Sequence, residues 1–318
     1  MSQETAHLQL NITVLGAGAW GATLAQLAIA CGHRVRVWGR RGSLSLGAAL
    51  EGANLVISAV SMQGVRPVIE QVQAIGVASS TLLVSATKGL DPTFSPGDFP
   101  RLASQLWQAG FPQQAVVVLS GPNLSEEIRQ GLPAATVVAS QNLAAAETVQ
   151  RALSSPQFRI YTNSDGLGVE MGGTLKNVMA IAAGTCDGLQ LGTNAKAALL
   201  TRGLAEIIRI GTYWGAKPET FYGLSGLGDL LATCNSALSR NYQVGYGLAQ
   251  GQILDQVLAG LAGTAEGVNT TQVLVNLAQQ RQISVPISEQ VAHLLAGQIT
   301  PRAAVEALML RDYKPEIH

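Results

Sequence analysis

The feature that most constrains the fold is a set of three glycines at the junction of the first strand and the first helix. A β-branched run at residues 12–15 precedes them, and a helical pattern follows at residues 20–30. Gly16, Gly18 and Gly21 have the spacing GxGxxG. In a strand–turn–helix unit the first glycine permits the tight turn, the second lets a pyrophosphate approach the backbone, and the third lets the helix pack closely on the strand. The spacing therefore predicts a dinucleotide-binding βαβ unit.

Strand and helix patterns alternate through the first half of the chain and then stop alternating. The later strand candidates are residues 35–38, 55–60, 82–86, 115–119, 135–139 and 158–161, and the helical stretches between them are near 64–75, 99–109, 123–130 and 142–153. After about residue 163 Ala, Leu and Gly dominate, with helical periodicity. We predict a Rossmann-like α/β domain at residues 1–163, with a doubly wound, mostly parallel sheet, and an all-helical domain at residues 164–318.

The balance of charges argues against nucleic acid and anionic membranes as partners. Only 13% of the 318 residues are charged and 47% are hydrophobic, and 20 Lys and Arg balance 20 Asp and Glu. A chain with no net charge has no overall field to attract nucleic acid or an anionic membrane, so we predict neither as a partner. The high hydrophobic content means that much apolar surface must be buried, and an interface between two copies of the chain would bury it, which favours a homodimer.

Cysteine spacing and the chain start indicate the compartment. Cys31, Cys186 and Cys234 are far apart and form no CxxC pair, which argues against a disulfide framework and against a thiolate metal site. Residues 1–7 lack the basic start and apolar run of a signal peptide, and no apolar run reaches the length of a membrane span. We therefore expect a soluble, cytoplasmic protein with no metal.

Lys176 is the only charged residue between Glu170 and Asp187, in a run that reads as a buried helix. A buried lysine is costly unless it has a partner or a chemical task. In one interpretation its methylenes lie along the core while the amine extends into water. In the other, Gly172 and Gly173, one turn earlier, leave room for a ligand to reach a catalytic amine. The residues alone leave both open.

Two arginines follow the second strand, where an NAD-specific fold usually carries Asp or Glu for the ribose hydroxyls. Arg40 and Arg41 suit a 2′-phosphate instead, so we predict a preference for NADPH over NADH. The alternative is a pair of solvated surface arginines. His33 falls in a turn, and His7, His293 and His318 have no partner motif, so lysine is the candidate acid.

Four other polar clusters each have a functional and a purely structural interpretation. Lys88 ends a strand at the carboxyl edge of the sheet, where ligands bind in open α/β folds, or it is a surface charge. Residues 120–123, Ser-Gly-Pro-Asn, form a ligand loop or an ordinary capped turn. Asp229 is a lone carboxylate among glycines and leucines, or a helix cap. Residues 239–241, Ser-Arg-Asn, begin a helix that can hold a phosphate, or form a surface N-cap.

Six motifs in order, from about residue 12 to residue 271, resemble NAD(P)-dependent glycerol-3-phosphate dehydrogenases. They are Gly-Ala-Gly-Ala-Trp-Gly, Ala-Thr-Lys-Gly-Leu, Ser-Gly-Pro-Asn, Leu-Lys-Asn-Val-Met-Ala-Ile-Ala-Ala-Gly, Gly-Leu-Gly-Asp-Leu and Ser-Arg-Asn. The resemblance implies reversible reduction of dihydroxyacetone phosphate to sn-glycerol 3-phosphate with NADPH or NADH, which supplies a glycerophospholipid precursor.

The resemblance also implies roles for individual residues. Lys176 matches the catalytic lysine, Lys88 the second active-site lysine and Asp229 the active-site carboxylate. The implied substrate-binding residues are Lys88, Gly121, Asn123, Lys176, Asn177, Asp229, Ser239, Arg240 and Asn241. The implied cofactor-binding residues are Gly16, Gly18, Ala19, Trp20, Gly21, Arg40, Arg41, Lys88, Ser125, Arg240, Thr264 and Glu266.

The chain departs from the family pattern in one segment that bears on the fold. Residues 42–53 are fewer than the relatives have there, which casts doubt on one strand of the sheet and on one wall of the cofactor groove. Ser61-Met62 and Asn123 also replace commoner residues, without removing a group that the chemistry needs. Two other functions stay open: a related dehydrogenase acting on a hydroxy or keto acid, and a non-catalytic NADP(H)-binding sensor.

Overall fold

The computed structural model describes residues 9–95 and 98–312. The start of the chain with His7, and the expected tail at residues 314–318 with His318, lie outside the described residues. The chain divides into two compact units, Met1–Lys88 with Arg101–Glu170, and Gly89–Pro100 with Met171–His318. The division into a dinucleotide-binding domain at residues 1–163 and a helical domain at residues 164–318 stays a prediction.

A seven-stranded sheet forms the centre of the first unit, in the order β2-β1-β3-β4-β5-β6-β7. The strands are β1 Asn11–Leu15, β2 Arg34–Trp38, β3 Leu55–Ser58, β4 Leu82–Ser85, β5 Val116–Ser120, β6 Ala134–Ala139 and β7 Phe158–Asn163. Neighbouring strands pair in parallel, except that β5 and β6 are antiparallel. The predicted mostly parallel sheet is therefore confirmed.

Helices cover both faces of this sheet, as a doubly wound fold requires. They are α1 Ala19–Ala30, α2 Leu46–Leu50, α3 Met62–Ile75, α4 Ala103–Gly110, α5 Ser125–Arg129 and α6 Leu143–Leu153. Successive residues of a strand point to opposite faces, so Val14 joins the core with α1 and α6, whereas Leu15 joins the core with α2, α3 and α4. Both cores are buried and apolar.

The sheet ends at β2 on one side. In dinucleotide-binding sheets of strand order 3-2-1-4-5-6, a further strand lies outside the one that corresponds to β2. Between β2 and β3 the described chain contains only α2, so that outermost strand is missing here. The doubt raised by the short segment at residues 42–53 is thus borne out for the strand. Arg34 and Arg36 have exposed side chains on β2, and charged residues on an edge strand discourage pairing with another chain.

One predicted helix begins later than expected. The stretch at residues 99–109 was expected to be helical throughout, but α4 begins at Ala103. Phe99 belongs to the second unit, where its ring lies 4.9 Å from that of Trp214 and 6.2 Å from that of Tyr213, between ring centroids. This aromatic contact, with Pro100 next in the chain, holds Phe99 outside the helix.

Helices make up the second half of the chain. They are α7 Gly166–Gly188, α8 Gly192–Tyr213, α9 Asp229–Cys234, α10 Arg240–Ala249, α11 Leu254–Gly260, α12 Glu266–Arg281, α13 Pro286–Leu295 and α14 Pro301–Met309. Short helical turns at Pro218–Tyr222 and Leu224–Gly228 lie between α8 and α9. No strand is found among residues 164–312, which confirms the all-helical prediction for this part. Within the described residues, no helix has the length and apolar character needed to span a bilayer.

Candidate active site

Lys176 lies on α7 with its ammonium paired to a carboxylate inside the second unit. Its side chain is 7% exposed, and Nζ lies 2.6 Å from Oδ1 of Asp229, whose side chain is 1% exposed. Lys176 Nζ also donates a hydrogen bond to Oγ1 of Thr233. The interpretation in which the amine extends into water is therefore wrong: a buried ammonium is tolerated here because a carboxylate and a hydroxyl accept from it.

Helix α9 is what brings the two acceptors together. Asp229 begins this helix and Thr233 follows four residues later, so both side chains lie on one face. The Thr233 hydroxyl in turn donates to Asp229 Oδ1 at 3.2 Å. Thr233 was not among the predicted site residues, although its spacing from Asp229 in a helical stretch was a usable signal.

Gly172, one turn before Lys176, was expected to leave room for a ligand, but it contacts another part of the backbone. A Cβ atom at Gly172 would lie 2.6 Å from the carbonyl oxygen of Ser225 and 3.1 Å from Cα of Gly226. Gly172 therefore lets α7 pack against the turn Leu224–Gly228, which leads directly into α9. Close helix packing, rather than room for a ligand, accounts for this glycine.

Residues at the start of α10 are tied to α7 and α12. Asn241 Nδ2 donates to Oδ1 of Asn177 at 2.9 Å, and the backbone N–H of Gly267 donates to Oδ1 of Asn241 at 2.9 Å. Since Asn177 follows Lys176 on α7, the second unit holds the predicted substrate residues of α7, α9 and α10 in one connected set. Ser239 is the N-cap of α10, with its Oγ accepting from the N–H of Tyr242 at 3.2 Å.

Arg240 lies beside the loop that carries two predicted cofactor residues. Its side chain is exposed, and a Cβ atom at Gly263 would lie 2.5 Å from its Nη1. Gly263 has a φ of +119°, a conformation that favours glycine. Thr264 follows it, and Glu266 begins α12. Arg240, predicted to bind substrate and cofactor, therefore lies near Thr264 and Glu266, predicted to bind the cofactor.

The three glycines of the first unit have three distinct environments. Gly16 has a φ of +115°, and a Cβ atom there would lie 2.7 Å from the carbonyl oxygen of Ala59. A Cβ atom at Gly21 would lie 1.8 Å from the carbonyl oxygen of Gly16, so helix and loop touch through backbone atoms. Nothing lies within 4 Å of a Cβ atom at Gly18. An open backbone at the start of α1 fits the approach of a pyrophosphate.

Arg40 and Arg41 follow the strand that packs beside this glycine loop. The N–H of Gly16 donates to the carbonyl oxygen of Trp38 at 2.8 Å, and a Cβ atom at Gly39 would lie 2.9 Å from Cβ of Ala17. Both arginine side chains are exposed. The end of β2 and the loop are therefore adjacent, and the residues present fit a dinucleotide whose ribose carries a phosphate.

Lys88 is hydrogen-bonded to the Ser-Gly-Pro-Asn loop, residues 120–123, in the first unit. Its Nζ donates to the carbonyl oxygen of Gly121 at 3.0 Å, beyond the carboxyl ends of β4 and β5. A Cβ atom at Gly121 would lie 2.8 Å from Oγ1 of Thr136, and Asn123 Nδ2 donates to the same oxygen at 3.1 Å. Oδ1 of Asn123 is buried and accepts no hydrogen bond from the described residues, so it can accept one from a ligand. Ser125 begins α5 just beyond this loop.

Matches to family models cover both halves of the chain. Residues 11–45 and 42–146 match the model described as the NAD-dependent glycerol-3-phosphate dehydrogenase N-terminus. Residues 165–306 match the model of the C-terminus of the same enzyme. The chain belongs to the NAD-dependent glycerol-3-phosphate dehydrogenase family. The N-terminal match breaks at residues 42–45, the start of the shortened segment.

Relatives within this family match over nearly the whole chain. The chain is 65% identical to glycerol-3-phosphate dehydrogenase (NAD(P)+) of Nostoc sp., over 97% of this chain and 99% of that protein. It is 64% identical to the protein of the same name from Trichormus variabilis, with the same coverage. The crystal structure of glycerol-3-phosphate dehydrogenase from Coxiella burnetii has a TM-score of 0.89 at 33% identity, over 95% of this chain and 99% of that one.

A dehydrogenase for a hydroxy acid shares only the fold. The 3-hydroxyisobutyrate dehydrogenase of Mycobacterium tuberculosis has a TM-score of 0.52 at 14% identity, over 95% of this chain. That similarity is far lower than the similarity to members of the glycerol-3-phosphate dehydrogenase family. The alternative of a hydroxy or keto acid dehydrogenase is therefore not favoured.

Burial raises the pKa values of two side chains, Glu170 and Cys234. Glu170 is buried in the first unit, and its carboxylate accepts from the N–H of Ser104 at 2.9 Å, from the Ser104 hydroxyl, and from the Ser85 hydroxyl at 3.5 Å. Burial raises the pKa of Glu170 to about 7, against the smaller lowering effect of these bonds. Burial likewise raises the pKa of the Cys234 thiol to about 12, so this thiol beside Thr233 stays protonated.

The described residues contain no cluster of potential metal ligands. Across residues 9–95 and 98–312, no three His, Cys, Asp or Glu side chains are grouped in a way that could hold a metal ion. His33 serves the sheet instead, since its Nδ1 accepts from the N–H of Leu10 at 3.2 Å.

Proposed function

We propose that this chain catalyses the reversible NAD(P)-dependent reduction of dihydroxyacetone phosphate to sn-glycerol 3-phosphate. The observation that carries the proposal is the buried pair of Lys176 and Asp229, next to the Asn177–Asn241 contact, in a member of this family. A buried ammonium with a carboxylate partner is a group that can stabilise developing negative charge and give up a proton.

Lys176 is the proposed proton donor. Addition of a hydride to the ketone carbon turns the carbonyl oxygen into an alkoxide, which needs a positive charge and a proton. The Lys176 ammonium supplies both, and Asp229 with Thr233 fixes its position, so that little rearrangement is needed when the charge develops. Lys88, held by the carbonyl oxygen of Gly121, is the proposed second contact to substrate oxygen.

Ser239, Arg240 and Asn241 are the proposed phosphate-binding group. The N-terminus of α10 offers backbone N–H groups and the positive end of the helix dipole, and Arg240 adds a guanidinium that suits a phosphate. Binding energy gained at the phosphate can orient the carbonyl for reaction. The proposal also extends to Gly121 and Asn123, whose free acceptor suits a substrate hydroxyl.

The cofactor supplies the hydride when it is bound. We propose that the glycine loop at Gly16, Gly18 and Gly21 holds its pyrophosphate, with Ala19, Trp20, Ser125, Thr264 and Glu266 along its length. Arg40 and Arg41 are the proposed contacts to the 2′-phosphate, which gives a preference for NADPH over NADH. A specificity constant that favours NADH would contradict this preference.

Two broader properties follow as proposals. The three cysteines are free, and the family chemistry needs no oxidising compartment, which supports a cytoplasmic setting. Large apolar side chains on the surface and the low charge content support a homodimer. In this setting the product is the backbone precursor of glycerophospholipids.

Initial rates test the proposed function. The purified chain is assayed with dihydroxyacetone phosphate and either NADPH or NADH, and with a panel of hydroxy and keto acids. Turnover with dihydroxyacetone phosphate well above that with any acid is expected. A thermal shift on adding NADPH without turnover of any of these substrates would contradict it and favour the cofactor sensor.

A further inference from the structure

Three side chains outside the proposed site meet where α7, α8 and α10 pack together in the second unit. Asp187 is near the end of α7, Lys196 is in the first turns of α8, and Tyr242 is in the first turn of α10. The Tyr242 hydroxyl donates to Oδ2 of Asp187 at 2.7 Å, and Lys196 Nζ donates to the same oxygen at 2.6 Å. None of the three has a role in the chemistry described so far.

The cluster is more than a surface ion pair. The side chain of Lys196 is 16% exposed and that of Asp187 is 31% exposed, and Lys196 Nζ lies 5.5 Å from the centre of the Tyr242 ring. Partial burial and the cation–ring contact hold these groups more firmly than two freely solvated charges. Burial, with the hydrogen bond to Asp187, raises the pKa of Tyr242, so its hydroxyl remains a donor.

Backbone contacts between α7 and α10 make the position of this cluster definite. A Cβ atom at Gly184 would lie 2.0 Å from the carbonyl oxygen of Tyr242, and one at Gly245 would lie 1.8 Å from the carbonyl oxygen of Ile181. The two helices therefore touch without intervening side chains. The Asp187–Tyr242 bond joins the side chains of the same two helices at the first turn of α10.

That first turn carries the proposed phosphate-binding residues. Arg240 and Asn241 directly precede Tyr242, and the N-cap bond from the Tyr242 N–H to Ser239 belongs to the same turn. A displacement of Tyr242 must move both neighbours with it, because their backbones are joined within one helical turn.

We propose that Asp187 is a positioning residue for phosphate binding, which acts through Tyr242 and Lys196 to fix the first turn of α10. The inference rests on the proposed function, in which Arg240 and Asn241 bind the substrate phosphate. It adds a group that never touches the substrate but sets the place of two groups that do.

Tyr242→Phe tests the inference with a small change, because it removes only the hydroxyl that donates to Asp187. Tyr246→Phe is the matched control: Tyr246 is one turn later on the same helix, its ring stacks on that of Tyr242 at 6.2 Å, and it is 44% exposed. Asp187→Asn is the second variant, which keeps the shape of the side chain and removes its charge.

The readouts are the KM for dihydroxyacetone phosphate and the Ki of inorganic phosphate as a competing ligand. We expect Tyr242→Phe and Asp187→Asn each to raise both constants by about tenfold, less than the roughly hundredfold cost of a 1 Å misplacement. The double variant should add little to the larger single effect, because Tyr242→Phe removes the bond that Asp187→Asn weakens by removing the charge of its acceptor. Tyr246→Phe should leave both constants unchanged.

Different outcomes separate this inference from the proposed function. A wild-type chain that does not reduce dihydroxyacetone phosphate contradicts the proposed function. An active wild-type chain whose Tyr242→Phe variant has an unchanged KM and an unchanged Ki overturns the positioning role alone. A lower melting temperature with both constants unchanged also overturns it, since that result marks a contact of purely structural importance.

Discussion

Lys176 is the residue at which burial and chemistry depend most directly on each other. Its ammonium and the Asp229 carboxylate are 2.6 Å apart and both are buried. Removing one partner of such a pair leaves the other charge without compensation, at a cost of about 3–5 kcal/mol. Variants at this position must therefore be judged on stability as well as on rate.

We expect Lys176→Ala to lower kcat by at least about a hundredfold, because general acid catalysis contributes on the order of two to four powers of ten. NADPH binding, followed by fluorescence titration, should remain nearly intact. The double variant Lys176→Ala with Asp229→Asn also removes the buried carboxylate that has lost Lys176, and it provides a more stable background for the same assay. Near-normal turnover in a folded variant would remove Lys176 from the mechanism.

Arg240 permits a second test at the residue scale. We expect Arg240→Ala to raise the KM for dihydroxyacetone phosphate by at least about tenfold, because a guanidinium–phosphate contact is a charge-assisted hydrogen bond of the stronger kind. Arg240→Lys keeps the charge but loses the forked geometry, so its KM should lie between those of the wild type and the alanine variant. An unchanged KM in Arg240→Ala would contradict the proposal that Arg240 binds the substrate phosphate.

Glu170 should make stability depend on pH in the direction opposite to a salt-bridged carboxylate. Its pKa is about 7 in the folded chain against an ordinary 4.5, so the folded state binds the proton more tightly than the unfolded state does. The stability contributed by the neutral carboxyl is present below pH 4.5 and is lost as pH rises to about 7, by about 3 kcal/mol in total.

Urea unfolding of Glu170→Gln measures this effect. The amide does not titrate, so the free energy of unfolding of the wild type relative to the variant should fall as pH rises from 4.5 to 8. The exposed Glu127 offers the matched substitution Glu127→Gln on the surface of the same unit. A wild-type advantage that stays constant over this range contradicts the raised pKa of Glu170.

The sequence identifies some of these residues and not others, for physical reasons. Lys176 and Asp229 stand out because each is a lone charge in an apolar stretch, which is a local property of the chain. Glu170 and Thr233 owe their roles to Ser104 and Lys176, which are 66 and 57 positions away. Contacts of that kind exist only after folding, so no local pattern indicates Glu170, and Thr233 is indicated only by its spacing of four residues from Asp229.

Glycines decide how the helices of the second unit approach one another. Gly184 and Gly245 let α7 and α10 touch through their backbones, and Gly172 does the same for α7 and the turn before α9. Composition shows that the chain is glycine-rich, with 35 glycines, but not which of them meet another backbone. At the element scale the expected role of Gly172 therefore changed from ligand access to helix packing.

We expect Gly245→Ala to lower the free energy of unfolding by about 1–3 kcal/mol or more, because the added methyl must force α7 and α10 apart. Gly260→Ala is the control, since nothing lies within 4 Å of a Cβ atom there and helical alanine is favoured over glycine. Urea unfolding curves of both variants check the contrast. Equal stability of the two variants contradicts the backbone contact.

The predictability of elements also follows from locality. Strand positions were predicted within two residues at each end, because β-branched runs between helical stretches are a local signal. The antiparallel pairing of β5 with β6 was not predicted for any particular strand, since direction depends on how the connection crosses the sheet. The start of α4 was missed because Phe99 is held by aromatic residues more than a hundred positions away.

At the scale of the whole molecule, the prediction concerns assembly. Tyr222, Ile253, Met309 and Leu310 are large hydrophobic residues with exposed side chains, in a chain of which only 13% of the residues are charged. We expect light scattering after size exclusion to give twice the chain mass of 33.1 kDa. A mass of one chain that persists at concentrations well above micromolar contradicts the homodimer.

The short segment after β2 shows which part of this architecture is dispensable. Each inner strand pairs with a neighbour on both sides, and β1, β3, β4 and β5 carry residues for both cores, whereas an outermost strand pairs on one side only. Deleting an outermost strand removes a single row of backbone hydrogen bonds and leaves the order and register of all the others intact. The sheet of this chain therefore lacks one strand at its rim, while β2, which is bonded to the glycine loop through Trp38 and Gly16, keeps its place.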